Sequence, residues 1–160
     1  PAGKTTAKSN GDVAAFSADH SEATNVTIHP RTDDPAYFYS RTDLVLNLSR
    51  VDQWIETFGL TLAEAMAFGV PVIAPPVGGP VEIVTHGREG FCIDSRDGAA
   101  LRAAVVKLAG DRETYDAMAQ ASRRRAQDFT FASYSVALRD ALNLMEKGTL
   151  DEDCRSWNRW

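Results

Sequence analysis

Cysteine is scarce in this chain of 160 residues: there are two, Cys92 and Cys154. Two cysteines make no disulfide framework, and their scarcity favours a reducing cytoplasm over an oxidising compartment. A basic surplus is lacking as well. Twenty-two acidic residues against 17 basic ones give a net charge of −5, which argues against a nucleic-acid binder, whose footprint is a basic stripe. No apolar run approaches the ~20 residues of a membrane helix, and no charged-then-apolar signal segment opens the chain. The three histidines, His20, His29 and His86, have no metal-ligand spacing. What is present is a globular composition, 44% hydrophobic with seven Phe, at a length within the ~100–200 residues of one domain. The chain opens on Pro1 rather than Met, so Pro1 is expected to be a cut and not a beginning.

Three regions are expected: a polar N-terminal remnant over 1–25, a folded lobe over 26–146 and a polar tail over 147–160. Gly3-Lys4-Thr5-Thr6 has the end of a phosphate-binding loop but not its leading glycine or preceding strand, and reads as frayed terminus. Within the lobe, strands are predicted at Val26–His29, Leu44–Leu48, Val70–Ala74 and Gly90–Ile93. Helices are predicted at Pro35–Arg41, capped by Asp34, at Phe58–Phe68, ended by Gly69 as the C′ residue, and at Val81–Thr85. Three longer helices follow, with apolar seams at Leu101, Val105, Leu108; at Tyr115, Met118, Ala119, Ser122; and at Phe131, Tyr134, Leu138, Leu142, Met145. These seams read as packing faces. Leu44–Leu48 is nearly all apolar, as suits a strand buried on both sides. Strand–helix alternation predicts an α/β fold with a parallel sheet, whose ligands gather at the carboxyl ends of the strands. The loops Pro30–Asp34, Ser49–Thr57 and Pro75–Pro80 therefore carry the expected chemistry.

The richest segment is Glu56-Thr-Phe-Gly-Leu-Thr-Leu-Ala-Glu64, followed by Ala-Met-Ala-Phe-Gly-Val-Pro-Val-Ile-Ala74. Glu56 precedes a helix, and Glu64 sits about one turn inside it with its side chain leaning back toward the N-terminus. Gly59 permits close approach of a ligand to the backbone. The amides of Gly59, Leu60 and Thr61, aided by the helix dipole, would form an anion site. Acidic side chains beside a phosphate site make sense if they accept hydrogen bonds from sugar hydroxyls while amides hold the phosphates.

Glu-x-Phe-Gly-Leu, Glu-Ala-Met-Ala, Gly-Val-Pro-Val-Ile-Ala and Gly-Gly-x-x-Glu-Ile-Val occur in that order. The series resembles the C-terminal, donor-binding lobe of retaining GT-B glycosyltransferases of the group-one, family-four type. The stretch from Asp43 through Gln53 to Pro80 is especially similar to bacterial capsular and exopolysaccharide transferases. The resemblance spans about Val26–Met145 and implies a Rossmann-like parallel sheet with flanking helices, one lobe of two, with the N-terminal lobe absent. It further implies that Glu56 contacts donor-sugar hydroxyls, that Glu64 takes the ribose hydroxyls, and that Phe58, Gly59, Leu60 and Thr61 bind sugar and diphosphate through their backbone. Gly78 and Gly79 would keep the neighbouring loop thin, and Arg31 would lie near the nucleobase. The donor would be a UDP- or GDP-linked sugar, with no metal and no other cofactor. The implied setting is the cytoplasm, including the inner face of the membrane through peripheral association of the whole enzyme. The Arg and Lys that clamp the diphosphate in the family have no clear counterpart here, since the contexts of Lys4 and Lys8 do not match.

Blander readings stand beside these. Glu82 is read as favouring its own helix start, and Arg50 as a surface cation. Asp151-Glu152-Asp153 has the Asp-x-Asp form of metal-dependent transferases but sits in the polar tail. Two other functions stay open: a nucleotide-sugar epimerase-like or phosphorylase-like protein, and a non-catalytic interaction lobe. The missing partner, in cis or in trans, would carry the acceptor site. This chain alone is therefore expected to bind nucleotide sugars weakly and not to turn them over. Calorimetry with UDP- and GDP-sugars checks the first half, and a transfer assay in which the isolated chain makes product would refute the second.

Overall fold

The computed structural model describes residues 25–29 and 32–146, excepting the side chains of residues 144–146. Nearly all of the polar N-terminal stretch, Lys4 and Lys8, Arg31, and the tail with Asp151–Asp153 lie outside the described residues. The chain divides into two units, Pro1–Arg41 and Thr42–Trp160.

In the first unit, Asp34 caps α1 (Pro35–Tyr39) as the sequence predicts: its carboxylate accepts from the Tyr37 amide at 3.2 Å, and Pro35 occupies the first turn. Pro needs no amide partner there, so the position suits it. The Val26–His29 strand does not form. Those residues lie outside the sheet, and Val26 is 48% exposed. β-Branched residues favour a strand only where a neighbouring strand gives them something to pack on, and the His29 ring instead meets Phe38 edge-on.

The second unit is built on a three-stranded parallel sheet, in the order β1 (Val45–Leu46), β2 (Val72–Ala74), β3 (Gly90–Cys92). Helix α2 (Leu60–Ala67) crosses from β1 to β2, and the single turn α3 (Pro80–Ile83) lies between β2 and β3. Then come α4 (Gly98–Gly110), α5 (Arg112–Ala126), a 3-10 turn at Gln127–Phe129 and α6 (Phe131–Glu146). This is the parallel α/β sheet with flanking helices that the alternation of elements predicts. None of the helices in the described residues is long and apolar enough to cross a membrane.

The core lies between β2, α2, α3 and α5. Leu62, Met66, Val72, Ile73, Ile83 and Val84 are all at most 2% exposed. β2 is the central strand and is buried throughout, consistent with its continuous apolar sequence. Gly69 ends α2 at φ 74, with its amide on the Met66 carbonyl and the Val70 amide on the Ala65 carbonyl. This pair of bonds is the Schellman arrangement, which satisfies the last carbonyls of the helix. Asp97 and Asp111 cap α4 and α5 by accepting from Ala100 and Thr114. Bonds from the Thr114 hydroxyl and amide hold the Asp111 carboxyl at a pKa of about 2.

Three expectations need correction. β1 is an edge strand, not one buried on both sides: Leu46 is 39% and Leu48 50% exposed, because among the described strands only β2 pairs with it. The buried seam of α4 is Ala104 and Leu108, while Val105 is 37% exposed. A helix turns 3.6 residues per turn, so 104 and 108 face the core together and 105 rotates away. The stripe on α6 is amphipathic but covers no core, as Phe131 is 84%, Tyr134 62% and Leu142 52% exposed. On α5, by contrast, Met118, Ala119 and Ser122 are buried as predicted.

Glu89 is a buried charge that the sequence pattern did not single out. It is 0% exposed, accepts from the Thr85 amide at 2.8 Å, and pairs with Arg88 Nε at 3.2 Å. Its neighbour Gly90 fits directly under β2. A Cβ on Gly90 would run into the Val72 carbonyl oxygen, and both residues belong to the central ladder. Gly90→Ala is therefore expected to lose about 3 kcal/mol of stability, measured by urea unfolding. Gly98→Ala, where a Cβ would meet nothing within 4 Å, should be neutral or gain about 0.4–1 kcal/mol.

Candidate functional site at the carboxyl ends of the strands

Two of the three loops selected by the sequence leave the sheet together, at the carboxyl ends of β1 and β2. The first runs through Ser49–Gly59 into α2, and the second through Pro75–Gly79 into α3. They are joined backbone to backbone: the Gly79 amide donates to the Glu56 carbonyl at 2.9 Å. Gly78 sits at φ 76, and a Cβ there would strike the same carbonyl and the Ile55 Cγ2. A Cβ on Gly79 would strike the Thr57 carbonyl and the Phe58 Cα. The Gly-Gly pair thus lets one loop lie flat on the other.

Glu56 is half-buried at this junction, and its Oε1 accepts from the Phe58 amide at 3.4 Å. Gly59 is the N-cap of α2 at φ 90, a left-handed conformation that disfavours any side chain, and no side chain caps the helix. A Cβ at Gly59 would also lie 3.1 Å from the Leu62 Cδ1. The first amides of α2, those of Leu60 and Thr61, therefore follow an N-cap that supplies no side-chain acceptor. A helix start of this kind offers N–H donors and a positive dipole end to an anion. Glu64 follows in the second turn, half-buried. Phe58 and Leu60 are 47% and 60% exposed, and Phe58 meets Phe129 edge-on at 6.2 Å. Together with Thr130, Phe131 and Tyr134, these two rings line a groove of about 450 Å³.

The structure therefore brings together Glu56, Phe58, Gly59, Leu60 and Thr61 with Gly78 and Gly79, and sets Glu64 in the same helix. Arg31 is outside the described residues. Arg50 is committed to an ion pair with Asp52 at 2.7 Å, and Arg96 bonds Asp94 at 2.6 Å and lies 3.9 Å from Asp52. These exposed charges lace the loop after β1 to the loop after β3, and the Arg96 contact holds the Asp94 carboxyl at about 2. Glu82 lies in the first turn of α3, as expected of a residue that favours a helix start. Arg125 and Phe129 escaped the sequence reading. Arg125 donates to the carbonyls of Glu82 and Ile83 and to Asp128 Oδ2. The only trace in the sequence is the run Arg123-Arg124-Arg125 shortly before Phe129.

A family model for glycosyl transferases group 1 matches residues 13–125. The chain belongs to the group 1 glycosyl transferases. Among its relatives, the probable sucrose-phosphate synthase 5 of Oryza sativa subsp. japonica is 36% identical over 77 residues, covering 48% of this chain and 8% of that protein. The N-acetyl-alpha-D-glucosaminyl L-malate synthase of Bacillus anthracis is 36% identical over 93 residues, covering 58% and 23%. Among solved structures, Anabaena HepE in complex with UDP superposes with a TM-score of 0.76 at 22% identity, over 86% of this chain and 38% of that one. The likeness in structure gives the fold, that of a GT-B glycosyltransferase lobe. This group 1 transferase chain thus spans less than two fifths of the length of each of these three proteins.

Because the two loops touch through backbone, widening either glycine should separate them. Gly79→Ala is expected to lower stability by about 1–3 kcal/mol in chemical denaturation. Gly110→Ala, at an open position, serves as the control and should not.

Proposed function

We propose that this chain is the donor-binding lobe of a retaining glycosyltransferase that moves a sugar from a nucleotide-diphosphate donor to an acceptor hydroxyl in polysaccharide biosynthesis. The observation that carries this reading is the junction of Glu56 with Gly79, set against the bare start of α2. HepE, whose lobe has the same fold, has been solved with UDP and with UDP-glucose. In this reading the amides of Leu60 and Thr61 receive the diphosphate, Glu56 accepts hydrogen bonds from hydroxyls of the donor sugar, and Glu64 accepts them from those of the ribose. Phe58, with the thin Gly78–Gly79 loop, closes the pocket around the sugar, and Arg31 is assigned to the base by the family resemblance alone.

The reaction places growing negative charge on the departing diphosphate while the anomeric carbon becomes cationic. Amides fixed in place before the reaction lower that barrier because they need not reorganise as charge develops. The two carboxylates are assigned to recognition and not to proton transfer on a scissile bond, unlike a glycosidase pair. The acceptor and the group that activates it belong to a second lobe, supplied in cis or in trans. The polysaccharide role rests on the likeness of Asp43–Pro80 to capsular and exopolysaccharide transferases. A small-molecule acceptor is the second reading, favoured by the similarity to sucrose-phosphate synthase.

Calorimetry separates these roles. Glu64→Ala is expected to weaken UDP by about 1–3 kcal/mol, the loss of a charged hydrogen-bond partner. Glu56→Ala should weaken UDP-glucose but leave UDP unchanged. A non-catalytic interaction lobe predicts no change in either variant. The anomeric configuration of the product, read by NMR from a protein that carries this lobe with its partner lobe, decides retention.

A further inference from the structure

We infer that Arg125 is a positioning residue that holds both walls of the donor site at once. Its guanidinium sits near the end of α5, more than forty residues from the segment it binds. Nε donates to the Ile83 carbonyl at 3.2 Å, one terminal nitrogen donates to the Glu82 carbonyl, and the other bonds Asp128 Oδ2 at 2.7 Å. Glu82 and Ile83 end α3, the turn that the Gly78–Gly79 loop enters. Carbonyls at a helix end have no partner within the helix, and a forked cation can take two of them together. The same guanidinium lies 4.8 Å over the Phe129 ring, and Phe129 meets Phe58 edge-on. One side chain therefore clamps the segment behind Gly79 and, through Phe129, steadies Phe58. These are the two loops that the bond from the Gly79 amide to the Glu56 carbonyl joins. Neither Arg125 nor Phe129 is assigned to contact the donor; they act through the residues that do.

The inference rests on the proposed donor site, and the test keeps the two apart. Amide hydrogen exchange is measured on the 160-residue chain without ligand, beside titrations with UDP-glucose and with uridine. Arg125→Met is expected to raise exchange at the Gly79 amide about tenfold, while the core amides of Met66 and Ile73 keep their protection. It should also weaken UDP-glucose about tenfold and leave uridine within about twofold, because the nucleoside depends on Glu64 in α2. A general loss of packing would instead raise exchange at all three amides and weaken both ligands alike. Arg125→Lys keeps the charge without the fork, so its Gly79 exchange should lie between the two. If Gly79 exchanges in Arg125→Met as it does in wild type, or only in step with Met66 and Ile73, the inference is overturned. Should Arg125→Met fail to fold, Arg125→Lys decides alone, and exchange at Gly79 equal to wild type overturns it. If the wild-type chain takes up no UDP-glucose, the donor-site reading fails, while the exchange comparison still decides the role of Arg125.

Discussion

The site depends on a backbone-to-backbone approach that only glycine allows. The Gly79 amide reaches the Glu56 carbonyl because neither residue 78 nor residue 79 carries a Cβ. Everything nearby takes its position from that contact. Glu56 is fixed at the mouth of the first loop, Phe58 follows it on the rim, and Gly59 turns the chain into α2 with its amides bare. A side chain at 78 or 79 would do more than crowd the pocket. It would remove the register between the loops after β1 and β2, and with it the spacing of carboxylate and helix start.

Around this junction the molecule uses two kinds of support. On one side, the exposed ion pairs of Arg50, Asp52, Asp94 and Arg96 lace the loop after β1 to the loop after β3. Such surface pairs contribute little each. On the other side, Arg125 is only partly exposed and binds main-chain carbonyls, which stay in place when side chains move. The difference bears on the proposed donor site, whose anion-binding groups would be amides: pre-organisation there is a property of the backbone, so supports that grip backbone are the effective ones.

Much of this was legible in the sequence, and for a physical reason. The Glu56–Glu64 segment, the glycines at 59, 69, 78 and 79, and the cap at Asp34 carry local constraints, each of which a residue type expresses at its own position. The central strand was legible too, since burial on both faces leaves a run of apolar residues. What could not be read depended on distant partners. Val26–His29 has strand-forming residues but forms no strand, and β1 has a core-like sequence but an edge position among the described strands. Val105 fitted a helical seam that the true packing sets one residue earlier. Arg125 lies more than forty residues from the carbonyls it binds, and no local pattern encodes such a pairing.

β1 has one further consequence. Among the described residues its backbone bonds run to the β2 side, to Pro71 and Ile73, and Leu46 and Leu48 beside it are exposed. An open edge with apolar side chains is a template for another strand. The same row of donors and acceptors that extends a sheet within one molecule can extend it between two. Of the two outer strands of the described sheet, β1 and β3, β1 is the one flanked by exposed leucines, so a strand added there would meet apolar side chains.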